Sequence, residues 1–451
     1  MALVAPFKGI LYNRTLSPGL SQLITPPYDV ISPQEQKDYY SSHPYNIIRL
    51  DYGLTFPSDT SEDNRYTRAA HMLKIWQQKG ILVQDEHPAL YLYRIHYQMP
   101  GEGPRIRTGL ISLLGLEPFH SGQVRPHEKT FSAFKQDRYQ LLERAQMQFC
   151  PIFSFYIDPE NTILSLLTAW ARNEPFIDFV DRDSIRHQIW RISDPGTLEE
   201  VQGLFRTRTV FIADGHHRYE TGLAYKEAMQ KKIPHLSKQS PVNFILMFLC
   251  NMNDPGLVIF PVHRSLKRVM EIDALQLEKK LAEDFSIEKI PFSPENKNLV
   301  IQEFLTRLNE KGKAASTLGM VMGKAPHFYL LTLKKECREG EWEEELQACQ
   351  RNLDVIILSR LIFQKALGIR PDELDQENII DYFKDSRQAI RSVESGACPL
   401  SFILNPTPVE QVRLVAEASL TMPRKSTYFY PKTPTGLIMH SLDTQDDIPL
   451  W

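Results

Sequence analysis

The chain has 451 residues, and its 52 Lys and Arg nearly balance 55 Asp and Glu, leaving a net charge of −3. That balance counts against a protein that coats a polyanion, which carries a basic excess. The 42% hydrophobic and 24% charged content excludes a disordered chain and leaves room for two or three domains.

The N-terminal segment Met1–Thr15 lacks a basic stretch followed by a long apolar core, so it does not read as a signal peptide. The cysteines (Cys150, Cys250, Cys337, Cys349 and Cys398) form no C-x-x-C pair and are odd in number. A zinc ribbon and a disulfide framework are both disfavoured, and a reducing, cytoplasmic setting is expected. The most apolar run, Val242–Cys250, is too short to cross a bilayer and reads as a buried strand, so no membrane partner is expected.

In chain order, Pro26-Pro27-Tyr28-Asp29-Val30 places a carboxylate on a turn whose backbone the prolines restrict. Asp29 is a catalytic candidate there, or simply a turn-forming residue. Ser32-Pro33-Gln34-Glu35 predicts a helix start with a capping box, and Thr407-Pro408-Val409-Glu410 repeats the pattern. Tyr66–Gly80 predicts an amphipathic helix. Ala89–Gln98 and Arg105–Leu116 predict strands joined by the turn at Pro100–Gly103, with further strands at Phe149–Ile157 and Thr209–Ala213. Helices are predicted from about Arg218 to Gln230 and from Asp354 to Leu367, the latter stopping at Gly368. Strands and helices mix without strict βαβ alternation, which gives an α+β fold with a mixed sheet rather than a doubly wound one. The charged, Glu-rich segment Lys334–Gln350 offers a seam, dividing a catalytic α+β region 1–335 from a C-terminal α+β part 336–451.

Chemistry concentrates in Phe211-Ile212-Ala213-Asp214-Gly215-His216-His217-Arg218. A short strand running into a helix through Gly215 presents the unpaired N–H groups of a first helical turn, with the positive end of the helix dipole. Gly215 lets a ligand approach the backbone, and His216, His217 and Arg218 add donors; this suits a phosphate or pyrophosphate. Asp214 has three open roles: capping the helix, orienting an imidazole, or holding a metal ion. Direct ligation of one metal by both histidines is hampered, because adjacent helical residues do not share a face.

A second cluster runs Arg125-Pro126-His127-Glu128-Lys129-Thr130, then Lys135-Gln136-Asp137-Arg138. It pairs a proton acceptor, Glu128, with a proton donor or shuttle, His127, and several cations, the set that phosphoryl transfer requires. A solvated charged loop is the alternative. A third cluster, Met422–Lys432, is basic and interleaved with aromatics; its shortness and two prolines favour a pocket-lining loop or surface strand over a nucleic-acid track. No Gly-rich Walker loop is present, which counts against a P-loop kinase.

These motifs, in this order, resemble a widespread bacterial and archaeal family of unknown function. The match rests on Pro6-Phe7 with Pro26–Val30, Gly80-Ile81-Leu82 with Leu90–Tyr93, His127–Thr130 with Lys135 and Asp137-Arg138, Ala213–Arg218, and Met422–Thr427 with Pro431-Lys432 and His440. Two positions depart from the family's pattern: Pro126 stands where a Lys is usual, and Arg424 where a Pro is usual. The Asp-Gly-His-His-Arg turn also resembles the phosphate-binding turn of ParB/sulfiredoxin-like folds, which include free-serine kinases. The resemblance implies phosphoryl transfer from pyrophosphate or a nucleotide, with Mg2+, to the hydroxyl of free serine. It implies that Asp214, Gly215, His216, His217 and Arg218 hold the donor phosphates, with Asp214 also a metal ligand. Glu128 or Asp29 would serve as base, and His127, Lys129, Lys135 and Arg138 would balance charge. Lys425, Ser426 and Thr427 would recognise the amino acid. A ParB-like nucleotide-binding or DNA-associated regulator and a phosphate-ester hydrolase are the rival readings; the charge balance disfavours nucleic acid as a partner, and the sequence leaves the oligomeric state open.

Overall fold

The computed structural model describes residues 2–15, 19–99, 103–128, 132–267, 273–335, 346–374, 379–423 and 425–450. The chain divides into two compact units, one formed by Met1–Val258 with Pro431–Trp451 and the other by Ile259–Tyr430. The division falls well before the seam expected at 335/336, and the first unit takes back the last 21 residues. Charge density marked Lys334–Gln350 in the sequence; the contacts instead follow the sheets, and a strand at His327–Leu333 and a helix at Asp354–Ile357 lie within the same unit. Residues 336–345 of that segment lie outside the described residues.

The first unit is built on a mixed sheet. Its strands lie in the order Val124–Arg125, Val210–Asp214, Ile152–Tyr156, Phe244–Asn251, Gly103–Gly115, Leu90–Met99, Arg186–Ile192 and Ile177–Val180, with Val4–Ala5 paired beside Gly103–Gly115. Two pairings are parallel, Val124–Arg125 with Val210–Asp214 and Ile152–Tyr156 with Phe244–Asn251; the other pairings in this sheet are antiparallel. The long hairpin predicted around residue 100 is present, and its tip, 100–102, lies outside the described residues. Phe244–Asn251 is buried on both faces, as its unbroken apolar run requires.

One face of this sheet packs Leu92, Leu110, Ile152, Ile212 and Met247 with Leu198, Val201 and Phe205 of the helix Pro195–Phe205. A second core gathers Leu23, Ile47, Leu50, Leu73, Trp76, Leu141 and Phe149. It holds three helices together: Ile48–Asp51, Arg65–Gln78 and Ser132–Ala145. Ser32 forms the predicted capping box with Glu35 at the helix Pro33–Ser42. Thr407 does not repeat it: the helix Val409–Glu417 starts without a side-chain cap, because the Thr407 hydroxyl donates to Ser426 O at 3.2 Å.

The second unit carries a six-stranded antiparallel sheet with Thr317–Met322 and Leu400–Ile403 near its centre. The helices Lys297–Ala314 and Ser386–Glu394 cover it through Phe304, Leu308, Ala389 and Ile390. The predicted Asp354–Leu367 helix is α-helical only to Ile357 and continues as a π-helix over Leu358–Ala366, with Gly368 left-handed at its end. The fold is thus the mixed α+β arrangement expected. Among the described residues, no helix is long and apolar enough to cross a membrane.

Candidate active site

The strand Val210–Asp214 is buried through Ala213, and its pairing with Ile152–Tyr156 slips at its end: Ile212 faces Ser154 and Asp214 faces Phe153. This bulge re-aims the Asp214 side chain just as the chain leaves the sheet. Gly215 follows at φ 101°, and the helix His216–Lys232 begins at once. The positive φ favours glycine, and a Cβ at position 215 would sit 2.8–3.0 Å from the Arg218 guanidinium and displace it. The first intrahelical bond runs from Tyr219 N–H to Gly215 O at 3.1 Å. The N–H groups of His216, His217 and Arg218 precede it, and no side chain caps the helix.

Asp214 therefore does not cap. Its Oδ1 accepts a hydrogen bond from Lys432 Nζ at 2.6 Å, and its Oδ2 lies 3.4 Å from Arg218 Nη2. Burial by itself would raise this carboxyl, but Lys432 and Arg218 outweigh it and hold the group well below the usual carboxylate range. Arg218 is anchored from its other nitrogen: Nη1 donates to Pro151 O at 2.8 Å and to Cys150 Sγ at 3.0 Å.

His127 and His216 meet edge to face, with ring centroids 4.8 Å apart. The His127 backbone N–H donates to His216 Nε2 at 3.2 Å, which puts the His216 proton on Nδ1. His127 Nδ1 lies 2.7 Å from Ile212 O, so that nitrogen carries the His127 proton. Burial pushes His127 down to about 4 and His216 well below the imidazole range. Both rings are neutral near pH 7, and His127 supplies no positive charge there. Its geometry ties the 127 segment to the strand end that carries Asp214.

Arg138 is buried, with Nη1 on Asp51 O at 3.0 Å and on Asp51 Oδ1 at 3.1 Å, Nε on Asp137 Oδ2 at 2.7 Å, and its guanidinium 4.0 Å from the Tyr28 ring centre. Asp137 is held in turn by Arg65 and by the Tyr66 hydroxyl at 2.6 Å. Lys135 Nζ bonds Glu220 Oε2 at 2.7 Å, joining the helices Ser132–Ala145 and His216–Lys232. Lys135 and Arg138, expected from the motif resemblance to balance phosphate charge, are thus engaged with protein carboxylates.

Asp29 is exposed on the turn Tyr28–Val30, and its charge is felt by Arg218, Tyr28 and Asp51. Glu128 is half-buried beside His127, and His217 is half-buried next to His216. Lys129 lies outside the described residues. Lys425, Ser426 and Thr427 belong to the second unit, where the Ser426 hydroxyl donates to Pro423 O. His440 is a core residue of the first unit, edge-on to Phe7 and pushed down to about 4 by burial.

In the sequence Lys432 stands out only as the end of the basic Met422–Lys432 cluster and in the Pro431-Lys432 pair, and Asp51, Tyr28 and Cys150 carry no functional mark of their own. These residues surround the turn from distant parts of the chain. Tyr28, Asp51, Arg138, Phe149, Cys150 and Arg218 help line a pocket that is partly open to solvent. Arg107, fully buried, donates from Nη2 to Pro431 O at 2.7 Å and so fixes the residue before Lys432. Its guanidinium lies 4.6 Å from the Phe153 ring centre and 5.4 Å from that of Phe248. Among the described residues, no three His, Cys, Asp or Glu side chains group as metal ligands. Asp214 already faces two cations, so this donor set does not fit a protein-held divalent ion.

The family described as "Protein of unknown function (DUF1015)" matches residues 4–356. The chain belongs to this family. No curated protein matches it. Among solved structures, this DUF1015 member is similar to a conserved hypothetical protein from Pyrococcus furiosus, with a TM-score of 0.33 and 13% identity over 74% of this chain and 97% of that one. It is also similar to a free serine kinase in complex with AMP, with a TM-score of 0.33 and 12% identity over 71% and 86% of the two chains. A third is SbnI with C-terminal truncation from Staphylococcus aureus, with a TM-score of 0.35 and 10% identity over 75% and 90%.

Proposed function

We propose that the protein is a kinase that transfers a phosphoryl group from pyrophosphate or a nucleotide to the hydroxyl of free L-serine, giving O-phosphoserine. The observation that carries this reading is the junction at Gly215. Three first-turn N–H groups, those of His216, His217 and Arg218, open a 17-residue helix without a side-chain cap, beside the Lys432 and Arg218 cations. Such a junction favours a phosphate through the backbone, with Lys432 contributing as a point charge. In this reading the strand–Gly215–helix is a ParB/sulfiredoxin-like phosphate turn, in keeping with the sequence motifs.

The serine Oγ attacks the terminal phosphorus, forming an O–P bond as the bond to the leaving phosphate or nucleoside phosphate breaks. The hydroxyl proton passes to a carboxylate, Glu128 or Asp29, positioned by the 127 segment or by the Tyr28–Val30 turn. Arg218 and Arg138, held by protein partners, fix the walls of the site. Lys425, Ser426 and Thr427 remain assigned to the amino acid by the motif resemblance alone. Mg2+ belongs to this reading as an ion that travels with the donor phosphates, and no step is routed through it.

The test is to incubate the purified protein with serine, Mg2+ and pyrophosphate, ATP or ADP in turn and to assay phosphoserine. Formation with one donor supports the reading and names the donor. No phosphoserine with any of the three overturns it, and phosphate release that is independent of serine marks a hydrolase instead.

A further inference from the structure

The cavity beside Arg218 contains a carboxylate that the proposed phosphate turn does not use. Asp51 ends the short helix Ile48–Asp51, and its side chain is 9% exposed. Arg138 Nη1 bonds its Oδ1 at 3.1 Å; among the described residues its Oδ2 receives no hydrogen bond. Among the described residues, Asp51 is the one anionic side chain in the pocket lining, where it stands with Arg138 and Arg218 beside the apolar Leu141, Phe149, Ile152 and Ile245. The Gln148 amide, also in the lining, is tied to the backbone: Nε2 donates to Phe244 O at 3.1 Å and Oε1 accepts from Leu246 N at 2.6 Å.

A carboxylate oxygen that opens onto a mostly apolar pocket with no protein donor is incompletely compensated, and a ligand that brings N–H groups to it supplies the missing donor. Arg138 cannot fully supply that charge, because its Nε and Nη2 serve Asp137. Burial raises the Asp51 carboxyl above its usual range even though Arg138 and Arg218 oppose it, consistent with incomplete compensation. A hard divalent cation is a poor match, since it requires several oxygen ligands and the lining offers one carboxylate. A primary ammonium, with three donors on a compact head, matches one free carboxylate oxygen.

The geometry points to Asp51 as the receptor for the α-ammonium of the acceptor, so that the cavity selects an amine-bearing hydroxy compound. This rests on the kinase reading for the identity of the acceptor, but its own content is a preference in binding. Arg218 lines the same cavity and also reaches Asp214, so an ammonium seated at Asp51 lies one arginine away from the phosphate turn.

The test is calorimetric titration of the full-length protein with L-serine and with 3-hydroxypropionate, which keeps the hydroxyl and carboxylate and lacks the amine. Serine is expected to bind at least about 10-fold more tightly, the scale of one charge-assisted hydrogen bond. Asp51→Asn is expected to bring the two ligands within about threefold of each other while changing pyrophosphate affinity by less than about threefold. Tyr66→Phe loosens Asp137 behind Arg138 without touching the cavity, and it is expected to keep the discrimination. Equal binding of the two ligands by the wild type, or full discrimination in Asp51→Asn, overturns the proposal; so does loss of discrimination in Tyr66→Phe, which would assign the effect to the network as a whole. Equal binding of the two ligands by the wild type overturns the proposal even if Asp51→Asn does not fold. Amine-dependent binding without phosphoserine from any donor would sink the kinase reading and leave the Asp51 receptor standing. Equal phosphorylation of both hydroxy acids would do the reverse.

Discussion

Lys432 and Asp214 stand 218 positions apart in the chain, and Nζ of one lies 2.6 Å from Oδ1 of the other. Both side chains are largely buried, at 10% and 17% exposure, so the pair differs from the exposed ion pairs of the surface. Removing one partner of a buried pair leaves the other charge uncompensated. Lys432→Met is expected to lower unfolding stability by about 3 kcal/mol in urea titrations. Lys432→Met combined with Asp214→Asn should recover at least half of that loss, since the pair's two charges are then both gone and Arg218 keeps Pro151 O and Cys150 Sγ as partners. An additive double variant would show that the two residues are not coupled.

Gly215→Ala tests the turn itself. The positive φ and the contact with the Arg218 guanidinium both oppose a methyl group, and the strain is on the order of 1–3 kcal/mol. Because Arg218 must move, pyrophosphate binding is expected to weaken together with stability. Stability loss with unchanged anion affinity would detach this turn from the phosphate site.

The buried histidines set a pH dependence. His127 has a folded value near 4 against an ordinary 6.5, so below pH 6.5 the unfolded chain takes up a proton that the folded chain refuses. The contribution of His127 is therefore complete above about pH 6.5 and fades as the pH falls toward 4, by on the order of 3 kcal/mol in total. Asp254, raised to about 6 by burial, and Asp354, raised to about 7, act in the opposite direction, so the wild-type profile alone is composite. The informative quantity is the stability difference between wild type and His127→Gln, which should shrink between pH 6.5 and 4. A difference that is constant across this range would contradict a buried neutral His127.

Arg107 offers a test of how Lys432 is placed. Arg107→Met preserves apolar contact with Phe153 and Phe248 and removes the hydrogen bond to Pro431 O. Amide exchange at Lys432 and Thr433 is expected to accelerate, together with a lower Tm. Unchanged exchange there would mean that other contacts hold this segment.

The proton acceptor can be identified by comparing Glu128→Gln with Asp29→Asn. The variant that lacks the base should lose turnover by about 100-fold or more and keep its pyrophosphate affinity. If neither variant loses turnover, the base lies elsewhere.

The local parts of this arrangement were legible in the sequence because they depend on neighbours. The Ser32 cap, the hairpin of Leu90–Met99 with Gly103–Gly115, and the strand–Gly215–helix turn each follow from spacing within a few residues. Thr407 shows where such spacing fails: its hydroxyl found Ser426 O, a partner 19 residues away, in place of the helix start. The π-helical turns of Leu358–Ala366 have an ordinary helical pattern in sequence, since a small change in winding leaves apolar spacing nearly intact. At the site, the cluster around Asp137 and Arg138 was visible as charge, but its partners were not. Asp51, Arg65 and Tyr66 meet it only through the packing of three helices, and Lys432 and Asp51 carry no local mark of their positions.

The first unit is interrupted by the second and resumes at Pro431, which has a consequence for the order of synthesis. Asp214 is translated 218 residues before its lysine. At about 5–20 residues per second that gap lasts roughly 10–40 s. Throughout that interval the nascent chain holds the turn without the counter-charge that completes it. A ribosome that stops anywhere within the inserted unit releases a protein with the Asp-Gly-His-His-Arg turn and no Lys432. Translation through the interruption is therefore a precondition for the charge balance at Asp214, and incomplete chains carry the motif without its lysine.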